Sequence, residues 1–282
     1  MDIVGLTKKD QTGIINTQLD GKLQDVMALL AEPRLHLLSR HPLDLRNPRG
    51  RAKLQLMLSL PLKDDVSIDD MDIKGHADIT QASLDNVVSG HGVRRADIKL
   101  DATADGLSLA GHGVLGGLPS NISYSTDFRH VPPTGLLEQA HLTSRITPQT
   151  ATAAGFATGD HFGGSADAVV DYRQYGDHHG LVDINLNLKN SQIRIPLWHK
   201  APGRAAQATA TLGLKNGQIV AVDRILATGP DLDVRGNARL RPNPAPQLII
   251  SSFRVAHSTG HALLELPQTC VASSGIPVGG SA

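Results

Sequence analysis

An all-β fold with an antiparallel sheet and only two short helices is what the sequence predicts. Apolar and polar residues alternate with period two along most of the chain, and Asp-Gly and Asn-Gly pairs punctuate that alternation. Helical spacing is confined to two short stretches. Strict alternation gives each strand one apolar and one wet face, as in antiparallel sheets, whereas buried parallel strands read as unbroken apolar runs.

The elements follow in order. Gly21 to Glu32 carries Leu23, Val26, Met27, Leu29 and Leu30 at helical spacing and stops at Pro33. Leu54, Leu56, Leu58 and Leu60 then alternate with Lys53, Gln55, Met57 and Ser59. Val66, Ile68, Met71, Ile73, Ala77 and Ile79 continue the pattern. Ala96, Ile98, Leu100 and Ala102 form the next row. The Asp105-Gly106 turn separates it from Leu107 and Leu109, and Ile122 and Tyr124 follow. Thr147-Pro148 opens a second helix that ends at Gly155, because Pro suits the first helical position and Gly the position past the end. Val182, Ile184, Leu186 and Leu188 alternate with Asp183, Asn185, Asn187 and Lys189, and a weaker turn at Asn190-Ser191 leads to Ile193, Ile195 and Leu197. Ala206, Ala208, Ala210, Leu212 and Leu214 reach the Asn216-Gly217 turn. Ile219, Ala221, Leu232, Val234, Leu248, Ile250, Phe253 and Val255 complete the series.

The best linker is His130 to Gly135, with Pro132-Pro133, and the next is Arg241 to Pro246. A division near 133 gives residues 1–133, strand-rich with a short helix near 21–32, and residues 134–267, strand-rich with a short helix near 148–155. Residues 268–282, rich in Ser, Gly and Ala, read as a disordered tail.

Composition removes several function classes. The 282 residues carry 27 basic and 27 acidic side chains, which leaves no basic surplus for a polyanion. One cysteine, Cys270, excludes an internal disulfide framework and multi-cysteine metal sites. Aromatic residues make up 3% of the chain, so its apolar faces are built from Leu, Ile, Val and Ala. The N-terminus lacks the basic and apolar regions of a signal peptide, and no window reaches the eighteen or so apolar residues of a spanning helix. Read as it stands, the chain is soluble and either cytoplasmic or a piece of something longer.

The motifs that suggest chemistry are weak. Gly111-His112-Gly113-Val114-Leu115-Gly116 has the letters of a dinucleotide fingerprint, but Gly117-Leu118-Pro119 cannot open the helix that would receive a pyrophosphate, so a glycine-rich strand bend is expected. His161, His178 and His179 fall in one region near several aspartates, without the spacing that fixes two ligands on one helix face. The acidic run from Asp64 to Asp72 lacks the glycine and terminal Glu of a calcium loop and reads as the wet side of a strand. No nucleophile elbow or Walker loop is present. The expectation is no catalytic residue, no metal and no cofactor.

Strand after strand therefore offers an aliphatic stripe that another layer must cover. Two short helices cannot do so. Either two sheets face each other in a sandwich, or one long sheet curls around a groove that acyl chains can fill.

One stretch bears on that choice. Leu186 to Gly203, with the apolar alternation of Ile193, Ile195 and Leu197 running through Pro196 into Trp198-His199-Lys200-Ala201-Pro202-Gly203, resembles a recurring segment of the AsmA-like superfamily, in particular its YhdP-type members. Lys215-Asn216-Gly217-Gln218-Ile219 matches the strand rhythm downstream of that segment, and Ile146 to Phe156 resembles the short helix before a Gly-rich strand. The resemblance covers about residues 50–258, and most of it is strand style. It implies an elongated, curved β-groove or taco-like sheet, in a bacterial envelope protein anchored in the inner membrane and reaching across the periplasm. Its apolar trough would pass phospholipid between the inner and outer membranes. Family members carry an N-terminal membrane helix and a longer chain, so this sequence would be a fragment. The lining residues expected on that reading are Leu54, Leu56, Leu58, Ile98, Leu100, Leu107, Leu109, Ile184, Leu186, Leu188, Ile193, Ile195, Leu212 and Leu214, with Trp198, Lys200 and Gly203 forming a structural turn. A periplasmic assembly scaffold with a closed sandwich core and no lipid is the alternative.

Overall fold

A computed structural model describes residues 2–4, 11–30, 46–63, 70–88, 91–129, 131–196, 198–240 and 247–265. In chain order the elements are β1 (Asp2–Val4), β2 (Thr12–Lys22), α1 (Leu23–Leu30), β3 (Arg46–Pro61), β4 (Asp72–Val88), β5 (His91–Thr103), β6 (Gly106–Leu115), β7 (Leu118–Asp127) and β8 (Leu136–Ile146). There follow α2 (Pro148–Ala153), β9 (Phe162–Gly164), β10 (Ala166–Tyr175), β11 (His179–Asn187), β12 (Ser191–Ile195), β13 (Trp198–Lys200), β14 (Gln207–Lys215), β15 (Gln218–Gly229), β16 (Leu232–Arg239), β17 (Gln247–Val255) and β18 (Ser258–Glu265). Fifteen strands form one antiparallel sheet in chain order, and β13, β12 and β9 form a separate three-stranded sheet. The fold is all-β and antiparallel, with two short α-helices among the described residues.

The ladder crosses the division expected near residue 133, since Ser120–Thr126 of β7 pair with Ser144–Glu138 of β8. Both halves therefore share one sheet. The expected strand at Val66 and Ile68, the linker from Arg241 to Pro246, and the tail from 268 lie outside the described residues.

Local chemistry sets the turns. Asn216 and Gly217 both have positive φ (50° and 73°), as a two-residue type I′ hairpin requires. Gly116 (55°) and Gly117 (90°) make a second such hairpin between β6 and β7, so the fingerprint-like stretch is strand and turn with no helix after it. The α2 helix starts at a capping box: the Thr147 hydroxyl accepts from the Thr150 backbone N–H, and the Thr150 side chain accepts from the Thr147 N–H.

The elaborations gather at one end of the sheet. The β2–β3, β8–β10 and β11–β14 connections all emerge there and carry α1, α2 with β9, and β12 with β13. Among the described residues, the opposite end has the tight Asp105-Gly106, Gly176–His178 and Asn216-Gly217 connections and the longer connection over residues 128–135. At the elaborated end, α1 lays Leu23 and Val26 onto Ala52, Leu54, Ala77, Ala82, Val93 and Ala96, forming a buried core over β3, β4 and β5. Among the described residues, no helix is long and apolar enough to cross a membrane.

The α1 core and the open sheet should respond differently to truncation. Leu54 is only 5% exposed, so Leu54→Ala should cost about 3 kcal/mol. Leu109 is half-buried, so Leu109→Ala should cost about 1 kcal/mol or less. Urea unfolding of both variants checks this. Equal losses would mean that the two regions of this face are packed alike.

Candidate functional site

Ladder registers place one apolar face across nearly the whole sheet. A first row runs Leu19–Leu54–Ala77–Leu100–Leu109–Tyr124–Ala140–Tyr172–Val182–Leu212–Val222–Ala238–Leu248–Leu264, each residue opposite the next on the neighbouring strand. A second row, nearer the elaborated end, runs Ala52–Ile79–Ile98–Gly111–Ile122–Leu142–Val170–Ile184–Ala210–Ile225–Gly236–Ile250–Ala262. A third, toward the other end, runs Leu56–Gly75–Ala102–Leu107–Thr126–Glu138–Gln174–Gly180–Leu214–Ile219.

Much of this face is incompletely covered. Of the sixteen buried hydrophobic residues among those described, nine are alanine, and eight of the sixteen belong to the α1 core. Leu58, Leu107, Leu109, Ile122, Leu142, Val170, Ile184, Leu186 and Leu212 are half-buried. Side chains this apolar would be fully buried in a closed sandwich core.

The structure distributes the expected lining residues over three environments. Leu54 is buried beneath α1, with Leu56, Ile98 and Leu100 packed against the same core. Leu58, Leu107, Leu109, Ile184, Leu186, Leu188 and Leu212 are half-buried on the wide face, and Leu214 beside them is buried. Ile193 and Ile195 lie in the small sheet, where Ile193 is half-buried and Ile195 exposed.

The small sheet is fastened to the elaborated end by the Trp198 turn. The indole Nε1 donates to the Pro230 carbonyl at 2.6 Å. Its ring lies so close to Gly229 that a Cβ there would come within 2.9 Å. Lys200 is 2% exposed, and its ammonium donates to the carbonyls of Lys189 (3.1 Å), Ser191 (2.8 Å) and Ala201 (3.1 Å). Burial pulls its pKa below the usual lysine value. Gly203, at φ +84°, donates its N–H to the same Lys189 carbonyl at 2.8 Å.

A polar cluster interrupts the apolar rows. Glu138 of β8 is the one acidic side chain on the three rows, and Tyr124 and Tyr172 stand one row away on the flanking strands, both opposite Ala140. The Tyr172 hydroxyl donates its proton to Gln174 Oε1. Burial raises the pKa of Glu138. Burial and then the Glu138 charge push Tyr124 up to about 12, and the same causes raise Tyr172. Sequence reasoning missed Glu138, Tyr172 and Gln174. The signal lay in the Leu136–Ile146 and Ala166–Tyr175 strands, whose alternation is broken by these very residues.

The opposite face is polar and cross-linked. Asp20 meets Arg51 at 3.0 Å, His76 meets Asp101 at 2.7 Å, His141 meets Asp171 at 2.7 Å and Arg145 meets Asp167 at 2.9 Å. Each such exposed pair contributes about 0–1 kcal/mol. A trough of about 820 Å³ opens on this face, floored by Ser108, Ala110, Ser123 and Ser125 and flanked by Lys99, Asp101, His141, Asp171 and Arg173. Small side chains at matching register create it, a signal spread over separate strands. His161 lies at the elaborated end with its Nδ1 2.8 Å from the Arg194 carbonyl, whereas His178 and His179 occupy the hairpin at the other end. The three do not share a site. Among the described residues, no three His, Cys, Asp or Glu side chains are grouped to hold a metal.

No family model matches the chain, and neither a curated protein nor a solved structure matches it.

Lys200→Met should cost about 2–3 kcal/mol, because the Ser191 and Ala201 carbonyls lose their donor while the Lys189 carbonyl keeps the Gly203 N–H. Urea titration checks this, and a loss under 1 kcal/mol would contradict the carbonyl cage. The raised Glu138 pKa gives a pH signature. Its contribution to stability is fully present below the ordinary glutamate value of 4.5 and is lost as pH rises through the folded-state value. Glu138→Gln should therefore flatten the pH dependence of stability just above 4.5 when melting temperatures are compared across acidic and neutral buffers. Parallel curves for the two proteins would contradict burial as the cause.

Proposed function

We propose that this chain is a non-enzymatic part of a bacterial envelope protein whose apolar sheet face shelters and conducts phospholipid acyl chains between the inner and outer membranes. The observation that carries this reading is the set of aliphatic rows crossing the sheet while their central residues stay half-buried. A face of that size and greasiness calls for a cover, and acyl chains match it chemically. Each methylene taken from water contributes about 0.8 kcal/mol, so a sixteen-carbon chain gains on the order of 10 kcal/mol. The register shifts between β3 and β4, β4 and β5, and β14 through β18 support a bent sheet, because a bulge bends and twists its strand. The likeness of the Trp198–Gly203 turn to YhdP-type proteins of the AsmA-like superfamily supports a periplasmic location, with the inner-membrane anchor elsewhere in the full-length protein.

The trough on the polar face favours a second reading, a periplasmic scaffold that docks a polar partner there and carries no lipid. The two readings separate experimentally. Native mass spectrometry and lipid extraction of the purified folded chain should find bound phospholipid, and Leu109→Asp should remove it while changing stability by about 1 kcal/mol or less. Folded wild-type protein with no extractable lipid overturns the conduit reading.

A further inference from the structure

The cluster around Glu138 is poorly explained as a folding device. Its row places Thr126, Glu138 and Gln174 on adjacent strands between Leu107 on one side and Gly180 and Leu214 on the other, a three-strand polar window in an aliphatic face. Keeping a carboxyl there costs desolvation, and an apolar residue of similar size would complete the row at no such cost. Instead, two of the three tyrosines in the chain stand on the flanking strands, one row away. Gly180, opposite Gln174, presents no side chain beside this window, and a Cβ there would be in ordinary contact with Tyr172 Cε2 at 3.6 Å. Gln174, the register partner of Glu138 on β10, accepts the Tyr172 hydroxyl proton. The carboxyl projects from the same face of the sheet as the aliphatic rows, with its acceptor oxygens on that side.

We propose that Glu138, flanked by Tyr124, Tyr172 and Gln174, is a head-group station that accepts hydrogen bonds from a primary ammonium at the polar end of an acyl lipid. This rests on the reading that the apolar face shelters acyl chains, and it names the lipid class. Leu107 and Leu109 on one side and Val182 and Leu212 on the other give the alkyl chain apolar surface within reach of the station. A carboxyl partly removed from water holds an N–H donor more tightly than an exposed one does. A quaternary ammonium has the same charge but no N–H, and an anionic end group is repelled.

The test uses the folded chain and the neutral fluorophore N-phenyl-1-naphthylamine as reporter of the apolar face. Dodecylamine and dodecyltrimethylammonium, below their micellar concentrations, compete against it; they match in chain length and charge and differ in N–H donors. Wild-type protein should release the reporter at about tenfold lower dodecylamine than dodecyltrimethylammonium. Glu138→Gln should bring that ratio close to one, and Tyr124→Phe should reduce it, which keeps the test decisive should Glu138→Gln fail to fold. Reporter binding with equal displacement by both amphiphiles overturns the station and leaves the apolar-face reading standing. A preference that survives in Glu138→Gln does the same. No reporter binding to wild type overturns the apolar-face reading itself, and the station with it.

Discussion

Everything in this molecule depends on the sheet ladders staying in phase. Side chains alternate faces with a period of two, so a slip of one residue in any ladder would move every aliphatic side chain of the following strand to the wet side. The phase is kept across fourteen successive strands from Leu19 to Leu264. Bulges help keep it. In β4 the apolar face passes from Ile79 to Ala82, and the extra residue is taken up with Gln81 at φ 52° while its N–H binds Asp97. β5 makes the matching step beside it, from Val93 to Ala96, with Arg95 at φ 48°. Without these paired steps the α1 core would have no continuous apolar floor.

In-phase ladders create an apolar face, and the connections decide how much of it is closed. At the elaborated end α1 and the Trp198 sheet close it, the first with an Ala- and Leu-lined core and the second with an indole and a buried ammonium. Away from these two elements the central rows stay half-buried. The polar face needs no cover, because its charges pair across strands and remain wet. Glu138 and its tyrosines are the exception to the division of faces, which gives them their functional interest.

The antiparallel all-β character was legible because alternation is strongest where the pleat is undisturbed, as in Leu54–Leu60, Ile98–Leu100 and Val182–Leu188. Both helices were legible from spacing and from the Thr147-Pro148 start. Strand β2 was hidden by Thr17 and Gly21 on its apolar side, and β8 by Glu138 and Ser144. The far part of β4 and the start of β5 were hidden by their bulges, which break the period-two signal that a sequence displays. The small sheet could not be foreseen as separate, because Ile193 and Ile195 alternate like every other strand. What set them apart was a long-range contact of Trp198 with Gly229 and Pro230. The polar window escaped for the same reason: its members come from strands that meet only through register.

The central claim is that the middle of the apolar face is open to something other than protein. Carbene footprinting with a small apolar diazirine, mapped by fragmentation mass spectrometry on lipid-stripped protein, tests it most directly. Leu107, Leu109, Ile184 and Leu212 should take up label heavily, while Leu54 and Ala96 beneath α1 should be spared. Uniform protection of all six would contradict the account, because it would mean that a protein layer covers the whole face.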